Sequence, residues 1–149
     1  MSETKKVENS KKFFAPKNKN DRDFQSALKS ACRSLTFISE TDADVVPFTA
    51  VAPDDDTLGS YLAALGITSN EIEERGFESF FDRLTRERDW HGAIEKQRSR
   101  QWSKLREIIE KHLKKIRVIR VGRVRLDIYV VGLDESGRLA GVKTKAIET

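Results

Sequence analysis

The sequence predicts an α+β fold, with helices packed on a mostly antiparallel sheet, and three observations carry that prediction. From about Ile94 to Leu113, the residues Trp102, Leu105, Ile108, Ile109 and Leu113 recur at helical spacing. The final third, from "RVIRV" onward, alternates apolar and polar residues through three runs separated by short turn signals. Other helical patterns lie before and between the strand-like runs, which suits an α+β sandwich. A chain of 149 residues fits one domain with a core that needs no covalent staples.

Taken in order, "DRDFQSALKSACRSL" is a first helix, with Phe24, Ala27, Leu28, Ala31 and Leu35 spaced by three and four and aspartates at its start. It closes near "TFIS". "VVPFTAVAP" is apolar and β-branched and reads as a strand, with Pro47 pushing it to an edge or a strand start. "DDDTLGSYLAALG" offers a capping acid, a stripe of Leu58, Tyr61, Leu62 and Leu65, and Gly66 as a stop. "EIEERG" suits strand or helix equally. "FESFFDRLT" puts Phe77, Phe80, Phe81 and Leu84 on one helical face, and the long helix follows, ending in "KHLKK". The closing strands are "RVIRV", "VRLDIYVVG" after a two-residue "GR" link, and "RLAGVKTKAI" after "DESG". In the middle one, Val124, Leu126, Ile128 and Val130 share a face, opposite Arg123, Arg125, Asp127 and Tyr129.

The net charge of +4 invites a nucleic-acid reading, but its distribution argues otherwise. Residues 1–20 hold six lysines against Glu3 and Glu8, which accounts for the whole excess, so this segment reads as a flexible basic arm ahead of a domain at 21–149. No Lys or Arg lies between Arg33 and Arg75, whereas nine acids do, implying an acidic surface. Residues 75–125 reverse the balance with sixteen Lys or Arg against seven acids, most of them attributable to a solvated helix face. No apolar run has the length of a bilayer span. The opening "MSETKKVENSKKFF" lacks the apolar core and cleavage site of a secretory signal, so a reducing, cytoplasmic home is expected.

Catalysis finds no support. Cys32, the single cysteine, sits in an apolar stripe and reads as a buried small hydrophobe. His91 and His112 lack the companions of a metal motif, and "DDD" lacks the ligand spacing and glycine of a calcium loop. The glycines form no phosphate-cradling loop, and no nucleophile elbow occurs. A binding protein without a cofactor of its own is the expectation. Trp90, in the "RERDWHG" connection, reads as an interface anchor, and Trp102, on the apolar stripe, as core.

Three pieces, "FISETDADVVPF", "ESFFDRLTRERDW" and "GRVRLDIYVVGLDESGRLAGVKTKAIET", resemble the nuclease A inhibitor family, and the resemblance runs from about residue 24 to 149. It implies a three-layer α/β/α sandwich similar to the pathogenesis-related-protein-one-like fold. It also implies inhibition of a magnesium-dependent, sugar-non-specific endonuclease that cleaves DNA and RNA. Carried over residue by residue, it implies a partner-binding set of Glu40, Trp90 and Thr149, with Asp89 and Glu148 beside them. The terminal Thr149 would approach the partner's magnesium through its carboxylate and hydroxyl. The chain departs from the family pattern in its lysine-rich arm, its basic balance, and Arg88 before the "DW".

The chemistry of that reading is sound without the family. A nuclease that presents a cation and basic side chains to a phosphodiester is blocked by anionic oxygens on a rigid support, which residues 39–56 supply. Such an inhibitor is expected to be monomeric when free. The alternative is a nucleic-acid-binding adaptor using the basic arm and a track of Arg117, Arg120, Arg123 and Arg125, although it lacks interleaved exposed aromatics. A third reading keeps the fold as a regulatory scaffold with no nuclease target.

Overall fold

The computed structural model describes residues 19–149. The chain runs α1 (Lys19–Cys32), β1 (Thr36–Ile38), β2 (Asp42–Asp44), β3 (Val46–Thr49), α2 (Leu58–Leu65), β4 (Ile72–Arg75) and α3 (Phe77–Thr85). Then come α4 (Ala93–His112), β5 (Lys114–Val121), β6 (Arg125–Leu133) and β7 (Leu139–Ile147). The expected basic arm, residues 1–20, lies outside the described residues except for its last two, which begin α1. Among the described residues no helix is long and apolar enough to cross a membrane.

The architecture is α+β. Five strands form an antiparallel sheet in the order β3-β7-β6-β5-β4, and β1 and β2 form a separate hairpin. Pro47 sits in β3, an edge strand, where its missing N–H costs no central ladder bond. The ambiguous "EIEERG" is strand β4, at the opposite edge.

Both faces of the sheet are covered. On one, Phe24, Leu28 and Cys32 of α1, Phe81 of α3, and Trp102, Leu105 and Ile109 of α4 pack against Val118, Leu126, Ile128, Val130 and Val142. On the other, Tyr61 of α2 packs with Ile119, Val131 and Leu139. The period of two along β6 produces this division: Leu126, Ile128 and Val130 face the larger cluster, and Tyr129 and Leu133 the smaller one. Three layers result. Cys32 is buried, and burial pushes its thiol up to about 12, so it behaves as the small hydrophobe its position suggests.

Several details depart from expectation. α1 stops at Cys32, so Leu35 reaches the core from the connection beyond the helix. The cap of α2 is Thr57, whose hydroxyl accepts from the Ser60 N–H, while Asp55 accepts from both Thr57 donors. Gly66 closes that helix in the left-handed conformation, as read. The β5–β6 link has three residues, Gly122 to Val124, rather than two, which takes Val124 out of the strand and leaves it 47% exposed. Gly122 is needed there: its φ is +114°, and a Cβ would come 2.2 Å from the Arg125 carbonyl oxygen.

The expected acidic surface is neutralised only in part: Glu40, Asp42, Asp44, Asp54 and Asp55 are exposed, whereas the other four acids meet bases distant in sequence across the β4–β5 pair and its surroundings. Glu74 binds Arg117 at 2.7 Å, Glu73 binds Arg120 at 3.2 Å, Glu71 lies 3.4 Å from Arg123, and Asp56 lies 3.7 Å from Lys115.

Candidate functional site

The β1–β2 hairpin turns through Ser39, Glu40 and Thr41, and it is stitched to the end of β7. The Ile147 N–H donates to Ser39 Oγ at 3.0 Å, and the Glu40 N–H donates to the Ile147 carbonyl at 3.3 Å. Ser39 also closes the turn by accepting from the Thr41 N–H at 3.3 Å. A short polar residue at this position therefore fixes both the turn and its docking.

The consequence is that Glu40 and Thr149 meet. The Thr149 N–H donates to Glu40 Oε2 at 2.8 Å, and the Thr149 hydroxyl is shared between Oε1 at 2.9 Å and Oε2 at 3.0 Å. Both residues are exposed. The Thr149 backbone bond, and then its hydroxyl bond, hold the Glu40 carboxyl below the usual range. The hydroxyl expected to serve as a free oxygen donor is thus committed to Glu40, whereas the α-carboxylate takes no part in these bonds.

Glu148 is held from the other side. Its N–H donates to the Val124 carbonyl at 2.9 Å, and its carboxylate accepts from Arg120 Nη2 at 2.5 Å. Arg120 is only 7% exposed and spans two carboxylates, its Nε donating to Glu73 at 3.2 Å. Glu73 in turn is kept below its ordinary range, chiefly by a hydrogen bond from Arg75, with the Arg120 charge adding to it. The adaptor alternative needs Arg120 on an open phosphate track. Parity along β5 argues against it: Arg120 shares the face of Val118, and a cation on the inner face of a strand needs anions to reach it. Arg117 and Arg123 are also paired, so that of the track's four arginines only Arg125 is in no ion pair among the described residues.

Beside the terminus opens a cleft of about 390 Å³, bordered by Glu40, Glu148, Arg75, Arg83 and Arg120 and by the rings of Phe37 and Phe80. A second cleft, of about 220 Å³, shares Ile38, Arg83 and Leu84 with it and reaches Arg88 and His91.

Trp90 and Asp89 lie at that far end, on the α3–α4 connection, rather than against Glu40. Trp90 is 75% exposed and sets its ring edge-on to His91, with centroids 4.4 Å apart. Its loop is closed by reciprocal bonds: the His91 N–H donates to the Arg88 carbonyl at 3.0 Å, and the Arg88 N–H donates to His91 Nδ1 at 3.2 Å. Ser99 Oγ donates to the Arg86 carbonyl at 3.3 Å, and Arg100 binds Glu87 at 3.2 Å, tying the loop to α4. A large aromatic held out on a tethered loop has the form of an interface anchor. Trp102, by contrast, is 2% exposed and contacts the rings of Phe37 and Phe81.

The site therefore consists of two exposed features joined by clefts: a doubly held terminus with an acidic partner, and a tryptophan loop. Among the described residues no group of three or more His, Cys, Asp or Glu could hold a metal ion. A search of curated proteins returns no match. A family model described as nuclease A inhibitor-like protein matches residues 22–149, which takes in the hairpin, the tryptophan loop and the terminus, and the chain belongs to that family.

Proposed function

We propose that this protein inhibits a magnesium-dependent, sugar-non-specific endonuclease by placing Thr149, steadied by Glu40, in the enzyme's active site, with Trp90 and Asp89 anchoring a second contact. Membership of the inhibitor family supports the general reading. The observation that supports the specific one is the Glu40–Thr149 contact, in which the amide and hydroxyl of Thr149 are held by the Glu40 carboxylate on a supported edge. Magnesium in this reading is the partner's. The chain contributes oxygen donors, and the α-carboxylate suits a hard cation that accepts oxygen ligands and exchanges its waters. The role is that of a binding protein acting as a monomer in the cytoplasm, with no cofactor of its own.

Rigidity supports the proposal energetically. Ordering a free terminus on binding would cost conformational entropy, and the bonds from Thr149 to Glu40, and from Arg120 to Glu148, meet that cost beforehand. The adaptor reading is weakened by the ion pairs of Arg117, Arg120 and Arg123. Cleavage of DNA and of RNA by a magnesium-dependent, sugar-non-specific endonuclease, titrated with the protein, tests the proposal. Activity should fall to zero as the two approach equimolar amounts, and undiminished cleavage at excess protein would reject it.

A further inference from the structure

The second cleft differs from the first in charge. Arg83, Arg86, Arg88 and Arg98 all line it, and among the described residues none of the four is in an ion pair. Their neighbours behave otherwise: Arg100 is taken by Glu87, and Arg106 by Glu78, Asp82 and Glu110. The one acid in the lining, Glu95, accepts from the Gly92 N–H at 3.0 Å and so caps α4. Ile38, Leu84 and Trp102 make up the apolar part of the lining. Four cations without acidic partners around a partly apolar cleft, next to a tryptophan that is 75% exposed, form a surface built for an anion on another molecule.

We propose that this cleft is a second docking site, taking the carboxylates of an acidic segment of a partner protein. The guanidinium groups would grip the carboxylates in forked pairs and Trp90 would cover the apolar part of the segment. The proposal deepens the inhibitor reading by giving its partner a chemical feature, an acidic segment beside the active-site mouth. A nucleic-acid strand fits less well. Glu40 and Glu148 border the adjoining cleft, so a continuous phosphate backbone running on through it would meet repulsion there. A short acidic segment entering from outside would not.

The test uses fluorescence anisotropy of a labelled oligo-aspartate peptide and a labelled oligothymidylate of equal charge, each titrated with the full chain. The peptide should bind, more weakly as salt rises, and R88Q/R98Q should weaken it about tenfold. R123Q, on another surface, and a variant extended beyond Thr149 should bind the peptide as the unaltered protein does. Because the extended variant separates the terminus from the cleft, peptide binding stands or falls independently of nuclease inhibition. No peptide binding, equal binding by R88Q/R98Q, or preference for oligothymidylate would overturn the assignment.

Discussion

Glu40 and Thr149, 109 positions apart in the chain, are joined directly, the threonine amide donating to Glu40 Oε2 at 2.8 Å. The contact exists because a three-residue hairpin turn is docked on the end of β7, a strand paired on both sides, by Ser39 and by the Glu40 backbone. A loop acid and a terminal residue, each ordinarily mobile, thereby become one anionic feature with a fixed separation.

The contact should depend on pH in one direction. The Thr149 donors lower the folded-state pKa of Glu40 below its unfolded value, so their contribution is complete above the ordinary carboxylate range and is lost as pH falls through the lowered value. The Thr149 amide resonance should hold its position from neutral pH down to about pH 5 and move toward its unstructured value on further acidification. A resonance unmoved while the protein stays folded, or one moving between pH 6 and 8, would contradict the assignment.

Arg120 should act through Glu148 rather than touch the partner. R120M removes the bridge between Glu73 and Glu148 while keeping side-chain bulk, and it should weaken inhibition by about tenfold, roughly 1.4 kcal/mol. R120K should not restore it, because lysine cannot reach two carboxylates as a fork. Full inhibition by a folded R120M protein would show that the clamp on Glu148 is dispensable.

The two tryptophans should separate cleanly. W102A empties a fully packed site and should cost about 3–5 kcal/mol of stability. W90A removes an exposed ring, so its melting temperature should stay close to that of the unaltered protein while nuclease binding weakens by about 2 kcal/mol or more. Thermal melts paired with inhibition titrations would expose the opposite pattern if the assignment were reversed.

What was legible in the sequence was whatever had a period. α4, α3 and the β5–β7 meander carry long enough apolar repeats to be read directly, and Trp102 followed from its place on the α4 stripe. The β1–β2 hairpin was not read, because three-residue strands, one of them Asp-Ala-Asp, are too short to show alternation. Yet this hairpin brings Glu40 to Thr149, so the decisive contact had no local signal and came only from the family resemblance. The acidic and basic blocks were legible as composition, but their mutual neutralisation across β4 and β5 is a matter of strand order, which composition does not encode. The α3–α4 arginines were read as a solvated helix face. Arg83, Arg86 and Arg88 are exposed as that reading requires, but it does not foresee that with Arg98 they line one cleft.

The central claim is that the α-carboxylate of Thr149, held at Glu40, is the group that enters the nuclease. The most direct test is to append a short Gly-Ser extension after Thr149 and titrate the extended and unaltered proteins against the magnesium-dependent endonuclease, with circular dichroism and melting temperature as controls. The extension moves the negative charge away while leaving the β7 pairing and the core intact. The account predicts loss of inhibition by an extended protein whose fold and melting temperature are unchanged, and equal inhibition by the two proteins would contradict it.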